Sequence, residues 1–414
     1  MNKVILIYSL LFTLAYAQNI SLQWEKRLIQ PDRTETTRGI TLTPDGGAVI
    51  VTTCKSKTSP TGKEGSNISV IKVDGQGKKQ WEQIYGSPNE DIANVIVSIE
   101  NGFLIGGTTS KNTGGDKKQE GFGDKDFWLI KIDMQGKLLW ERAYGGSGID
   151  ELRDIEVVSD GYLLGGRTQS DKSGLVSQET YGDFDYWLVK VNKEGEKIWD
   201  KRYGGLTGDI FDSIVPCKDG NFLLIGDSGS DENEVKKSPN YGDMDYWIVK
   251  ITANGDKIWD VSYGGSVGDA LNDGIPLNEG GYLVGGFSYS GAGGSKATVS
   301  LGDADYWIVC IDEKGEKNYE RAYGAMNGEY LYSMAQIQDK IFVAGGSQVK
   351  MQNTMYYWLL LIDDEGKKLW EKEYPNMASE KACYVQTDKK YIWVAGTGTS
   401  DSGNYIWLAK FQIK

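Results

Sequence analysis

Four copies of an acidic box, Gly-Asp-x-Asp, recur along this chain: Asp124 and Asp126, Asp183 and Asp185, Asp243 and Asp245, Asp303 and Asp305. A large apolar residue stands just before each: Phe122, Tyr181, Tyr241 and Leu301. A second acidic column, Asp91, Asp150, Asp209, Asp269, Glu329 and Glu380, follows a Tyr at a spacing of six. Carboxylates placed this way can coordinate a hard cation such as calcium, act in pairs as general acid and base, or hold backbone N–H groups in turns. Calcium takes roughly six to eight oxygen ligands, and each box brings two carboxylates, so calcium would need neighbouring loops to cooperate and no resident cofactor is expected. A catalytic dyad must be unique in position, whereas these acids recur. The turn-holding role is favoured for both columns. The chain contains no histidine, which removes Ser-His-Asp and Cys-His nucleophiles, a histidine base and histidine-ligated zinc together.

The acids are positioned by a repeat. A Trp-Glu or Trp-Asp site gives Trp24, Trp81, Trp140, Trp199, Trp259, Tyr319 and Trp370, with steps of 57, 59, 59, 60, 60 and 51 residues. A second aromatic column runs Trp128, Trp187, Trp247, Trp307, Trp358 and Trp407. Each unit holds four short runs with β signals, such as DIFDSIVPC, GYLLGGRT, DYWLVKVN and EKIWDKRYGG, separated by Gly, Asn and Asp turns. No run has a helical period. Seven units of four antiparallel strands predict an all-β fold, a seven-bladed β-propeller. The chain opens on a lone fourth-strand run at Leu22–Arg27 and ends on first, second and third runs, so the N-terminal strand is expected to complete the last blade. Tryptophans at repeat positions read as packing between blades, not as a sugar-stacking platform.

The turn pattern I-D-x-x-G-x-x-x-W, seen at 132–140 and 362–370, resembles the repeats of quinoprotein-like propellers. The fuller unit, GGYLVGG followed by DYWIV, is similar to the 60-residue propeller repeats of exported Bacteroidetes proteins. That resemblance implies a scaffold and no particular activity. Quinone-dependent dehydrogenases of the superfamily have eight blades and an adjacent cysteine pair, which this sequence lacks.

The acidic boxes belong to blades two to five, where the loop between second and third strands is long, as in RTQSDKSGLVSQETYGDFD. This asymmetry is expected to put long, aromatic-tipped acidic loops on one sector of one rim, beside the mouth of the central channel. A formal charge of −13 disfavours nucleic acid. Residues 1–17, a lysine, an apolar run and Ala15-Tyr16-Ala17, read as a secretory leader ahead of a single domain at 18–414. That run is too short for a membrane span, and Gln18 offers no thiol for a lipid anchor. Cys54, Cys217, Cys310 and Cys383 are read as small buried hydrophobes. The expectation is an exported, periplasmic or secreted scaffold that binds an extracytoplasmic protein or glycan through the rim of blades two to five. The alternative is a carboxylate-dependent hydrolase or lyase acting on polysaccharide.

Overall fold

The computed structural model describes residues 20–30, 32–56, 65–349, 354–377, 383–388, 390–400 and 403–413. The leader expected at 1–17 and the acid Glu380 lie outside them. Among the described residues there is no helix. Seven four-stranded antiparallel blades follow one another: 33–85, 91–144, 150–203, 209–263, 269–323, 328–377, and 383–413 completed by 20–28. Within a blade the strands are named A to D in chain order; in blade three they are Asp150–Val158, Gly161–Thr168, Asp185–Asn192 and Lys197–Tyr203. The N-terminal strand Ile20–Leu28 pairs antiparallel with the last strand, Gly403–Ile413, so the ring closes as the repeat arithmetic required. One link was not expected: Met377 pairs with Gly398, which joins blades six and seven into one eight-stranded sheet.

The twenty-letter repetition is the chemistry of the blade interface. The tyrosine of each Asp-Tyr-Trp run packs on the tryptophan of the next: Tyr186 on Trp247 and Tyr246 on Trp307, with ring centroids 4.7 Å apart in both. The same tyrosines donate across the interface to the carbonyls of Trp247 at 3.1 Å and Trp307 at 2.9 Å. Third-strand tryptophans are fully buried at 128, 187, 247, 307 and 407, and Trp358 nearly so. The fourth-strand tryptophans are half-buried; Trp24, Trp81, Trp140, Trp199 and Trp259 lie over the C-to-D turn of the following blade, and Trp370 packs on Phe342 and Phe411. Gly195 in such a turn has φ +80°, and a Cβ there would come within 3.1 Å of the Trp140 ring. Only glycine satisfies both demands. Beside it, Tyr144 Oη donates to the Gly195 carbonyl at 2.6 Å, and Tyr203 does the same to Gly255. The Asp of the I-D-x-x-G turn has an equally local task, since Asp133 Oδ1 accepts from Gln135 N at 2.9 Å and Lys137 N at 2.8 Å. All four cysteines are buried and unpaired.

Removing Ile20–Leu28 is expected to leave an unpaired edge along Gly403–Ile413 and to strip Glu25 from the indole N–H of Trp407. Calorimetry and gel filtration of that truncation should show a loss of about 3 kcal/mol or more, the scale of one unpacked aromatic ring, together with association through the exposed edge. An unchanged monomer with an unchanged melting point would mean that the strand is not the closure.

Candidate functional site

Each described acid of the column at the D-to-A loop stands first in a first strand, or second in the case of Glu329, and accepts from the backbone N–H four residues earlier. Asp150 takes Gly146 N at 2.8 Å, Asp209 takes Gly205 N at 2.7 Å, Asp269 takes Gly265 N at 2.7 Å and Glu329 takes Ala325 N at 2.8 Å. Asp91 takes Ser87 N in the same way. A hydroxyl on the second strand adds a further donor, as Thr109 does to Asp91 at 2.6 Å. These side chains are buried, so the column does not form an open ring of carboxylates at the channel mouth. The blade-one member, Glu35, was not picked out from sequence. It stands two residues before the A-strand bulge, as Asp150 does, and takes Thr52 Oγ1 and Arg33 Nε.

The two acids of each box separate. Asp124, Asp183, Asp243 and Asp303 are exposed, whereas Asp126, Asp185, Asp245 and Asp305 are fully buried. Each buried member again accepts from the N–H four residues earlier: Phe122 N to Asp126 at 3.0 Å, Tyr181 N to Asp185 at 3.1 Å, Leu301 N to Asp305 at 2.8 Å, and Tyr241 N to Asp245. Among the described residues their other oxygens have no hydrogen-bond donor. Those oxygens crowd a glycine of the next D-to-A loop together with that loop's own acid, so that a Cβ on Gly145 would strike both Asp126 and Asp150. A buried cation lies between the two acids of each blade: Lys117, Lys236 and Lys296, and in blade three Arg202. The exchange is compensated. Where Lys117, Lys236 and Lys296 come from the loop, the fourth strand supplies Ala143, Ser262 and Ala322; where the loop supplies Val176, the fourth strand supplies Arg202. The Arg202 guanidinium lies 3.5 Å from Asp185 with both side chains wholly buried. The result is a belt of alternating acids and cations through blades two to five.

Burial outweighs the hydrogen bonds and cations in setting the protons of this belt. It pushes Asp91, Asp126, Asp209 and Asp245 up to about 6 and Asp185 up to about 7, and it raises Asp150, Asp269 and Glu329 as well. Burial likewise lowers Lys117, Lys236, Lys296 and Arg202 against the pull of their acids.

The long loops do not stand free on the rim. Blades diverge as they leave the axis, and each long loop folds back into the wedge against the preceding blade, where Leu175 and Val176 join the core formed with Phe127, Tyr144 and Trp187. Anchors come from the Trp-Glu and Trp-Asp sites. Asp200 accepts Trp187 Nε1 at 3.0 Å and Ser177 N at 3.0 Å, and Glu141 accepts Trp128 Nε1 at 2.8 Å and Lys118 N at 2.9 Å. The four apolar residues before the boxes differ in exposure. Phe122 and Tyr181 are half-buried, and Phe122 lies against the spot where Gly174 of the next loop admits no Cβ; Tyr241 and Leu301 are exposed.

Blade six is different. Only four residues, 350–353, separate its second and third strands, compared with sixteen, 289–304, in blade five. Between these blades lies a cavity of about 620 Å³ lined by Leu301, Gly324, Glu329, Trp358, Lys368, Glu371 and Glu373 among others. A second, smaller cavity of about 120 Å³ sits in the central channel and takes one residue from every blade: Arg38, Asn94, Arg153, Asp212, Asn272, Tyr332 and Tyr384. In blades one to six that residue is the extra one of an A-strand bulge. The bulge interrupts strand alternation, which is why sequence pattern did not single out this ring, the place where the blades differ most in chemistry. One further acid departs from the repeat: Glu156, pushed up to about 7 by burial and by Asp154. It is not among the residues lining the channel cavity.

Among the described residues no group of three or more acids, cysteines or histidines is placed to hold a metal ion. No family model matches the chain, and no curated protein does. Solved structures share its fold. The polysaccharide lyase Uly1 is similar with a TM-score of 0.52 at 9% identity, over 95% of this chain and 100% of that one. A chain of the Drosophila plexin A and semaphorin 1b complex gives 0.49 at 9%, over 95% and 88%. The phage phi92 endosialidase gives 0.47 at 8%, over 94% and 69%. At these identities the likeness is one of architecture alone.

The belt carries a pH signature. An acid raised in the folded state contributes stability that is present below its unfolded value near 4 and lost as pH rises through about 6. Stability is expected to fall by ~1–3 kcal/mol for each of Asp91, Asp126, Asp185, Asp209 and Asp245 between pH 5 and pH 8. Asp126→Asn should fold, because Asn67 occupies the same position in blade one, and should flatten part of that slope; urea midpoints at the two pH values provide the check. A slope of opposite sign would mean that these acids are ionised in the folded protein.

Proposed function

We infer that the protein is a non-catalytic binding scaffold, exported by the leader at 1–17 to the periplasm or the medium. Its partner, an extracytoplasmic protein or glycan, meets the rim on which the B-to-C and D-to-A loops of blades two to five emerge. The observation that carries this reading is exposed apolar surface on that rim. Leu206, Val267 and Met326 stand at successive D-to-A loop tips with exposures of 81%, 41% and 90%, and Tyr241, Tyr289, Val299 and Leu301 surround them on the loops of blades four and five. Water-facing side chains of this size gathered on one side of a molecule favour a binding face. The acids of the box support the face rather than touch the partner: Asp126, Asp185, Asp245 and Asp305 fix the loops, while Asp124, Asp183, Asp243 and Asp303 remain available at its surface.

The D-to-A acids argue against catalysis by the repeat, since each already accepts backbone and hydroxyl donors in an equivalent setting. The enzymatic alternative, a carboxylate-dependent hydrolase or lyase of polysaccharide, rests on Glu156, whose pKa near neutrality suits a general acid or base.

A variant with Leu206, Val267 and Met326 changed to Ser tests the binding face. It should keep the parent melting point, since these side chains are water-facing, and lose retention of the partner from envelope extracts or a glycan array by at least tenfold. Undiminished retention would move the site elsewhere. Turnover of envelope polysaccharide that disappears in Glu156→Gln would replace the scaffold reading with the enzymatic one.

A further inference from the structure

The cavity between blades five and six has the outline of a missing piece, and the chain itself shows what that piece looks like. In blade five the loop makes a tight turn at Gly294 and Ser295, closed by hydrogen bonds between Gly293 and Lys296, and the residues from Ser295 to Thr298 fill the wedge. Ser295 N donates to the Gly264 carbonyl of the preceding blade at 3.0 Å, and Lys317 Nζ donates to the Ser295 carbonyl at 2.5 Å. Lys296 turns inward toward Asp269 and Asp305, and Ala297 N and Thr298 N both donate to Glu320, at 2.7 and 2.6 Å. Blade three repeats the pattern with Leu175 N on the Gly145 carbonyl, Lys197 on the Leu175 carbonyl and Ser177 N on Asp200. Blade four repeats it with Lys257 on the Val235 carbonyl and Lys237 N and Ser238 N on Asp260.

Blade six keeps the receiving groups, with four residues between its second and third strands. Gly324 stands where Gly264 does, Lys368 where Lys317 does, and Glu371 where Glu320 does, and all three line the cavity. The Glu371 side chain is 47% exposed, against 7% for Glu320, 1% for Asp260 and 3% for Asp200. Among the described residues lining the cavity Lys368 is the one cation, paired with Glu371 at 2.9 Å, and the acids outnumber it. Glu329 and Glu371 take the positions of the first- and fourth-strand acids around Lys296, and Glu373 replaces the small Ala322, so three carboxylates surround the space into which a loop lysine would reach. A volume of about 620 Å³ lies within the roughly 300–1,000 Å³ of small-ligand sites.

We propose that this wedge is a docking site for a turn-forming segment of a partner protein, a small residue followed by lysine and two further residues, bound as the chain's own loops are bound in blades three to five. The partner's backbone N–H groups meet the Gly324 carbonyl and Glu371, one of its carbonyls meets Lys368, and its lysine enters among Glu329, Glu371 and Glu373. This site does not depend on the rim reading, with which it shares Leu301 at its border.

The test uses the whole protein and a capped peptide of its own blade-five loop, residues 292–299 (AGGSKATV), with a fluorescent label. Anisotropy should show saturable binding that weakens at least tenfold when the peptide lysine is replaced by alanine, and that weakens similarly in Glu373→Gln, whose exposed side chain leaves folding unaffected. Glu371→Gln should weaken it too, with Trp358 fluorescence monitoring any disturbance of the blade. No saturable binding, or binding indifferent to the peptide lysine and to Glu373, would overturn the proposal. So would self-association of the unmodified protein that Glu373→Gln abolishes, because the occupant would then be a second copy.

Discussion

Flat blades around an axis touch near the centre and part toward the outside, and this divergence governs what the rest of the sequence must supply. Near the axis, backbone and small side chains suffice: the second glycine of the B-strand pair lies so close to the first-strand carbonyl that a Cβ would collide, as at Gly166 against Glu151. Further out the gap is bridged by tyrosine against tryptophan, and beyond that by a half-buried tryptophan over the next blade's turn glycine. At the periphery of blades two to five the long loops take over. Aromatic residues at interface positions contribute the largest apolar area per side chain, which accounts for their return once per unit.

Filling a wedge with loop brings polar backbone and charge into a place without water, and the acid and cation belt follows from that. A buried N–H without an acceptor costs about 1–3 kcal/mol, so the carboxylates of the loops and fourth strands serve first as acceptors. Buried carboxylates in turn call for cations or protons, and both are present: Lys117, Arg202, Lys236 and Lys296 as the cations, and raised pKa values for the protons. The motif that most resembles a metal or catalytic site is thus a device for anchoring loops. The apolar D-to-A tips and the wedge beside blade six are the features that anchoring leaves unexplained.

The architecture was legible because it is written seven times: the tryptophan spacing carried the blade number, the four β runs of each unit the strand count, and the runs at the two ends the closure. The direction of the long loops was not, since a lysine in an acidic loop looks the same in sequence whether it faces water or, like Lys236, is wholly buried. A signal did exist: nine residues before the second box acid the column reads Lys117, Val176, Lys236, Lys296, and the fourth strand answers Val176 alone with an arginine. Glu35 escaped because blade one follows the closing strand and so lacks the tyrosine that marks the acid elsewhere. The channel ring escaped because six of its seven members are bulge residues and the blades share no single residue type there, with arginine at 38 and 153, asparagine at 94 and 272, Asp212, and tyrosine at 332 and 384.

The claim on which this account turns is that the long loops belong to the core of the wedge. Hydrogen–deuterium exchange at neutral pH addresses it directly through the amides of Lys118, Ser177, Lys237, Ala297 and Thr298, which donate to fourth-strand carboxylates. The account predicts that these amides exchange as slowly as those of the third strands beneath them. Exchange at the rate of an unprotected surface loop, with the strands still protected, would contradict it.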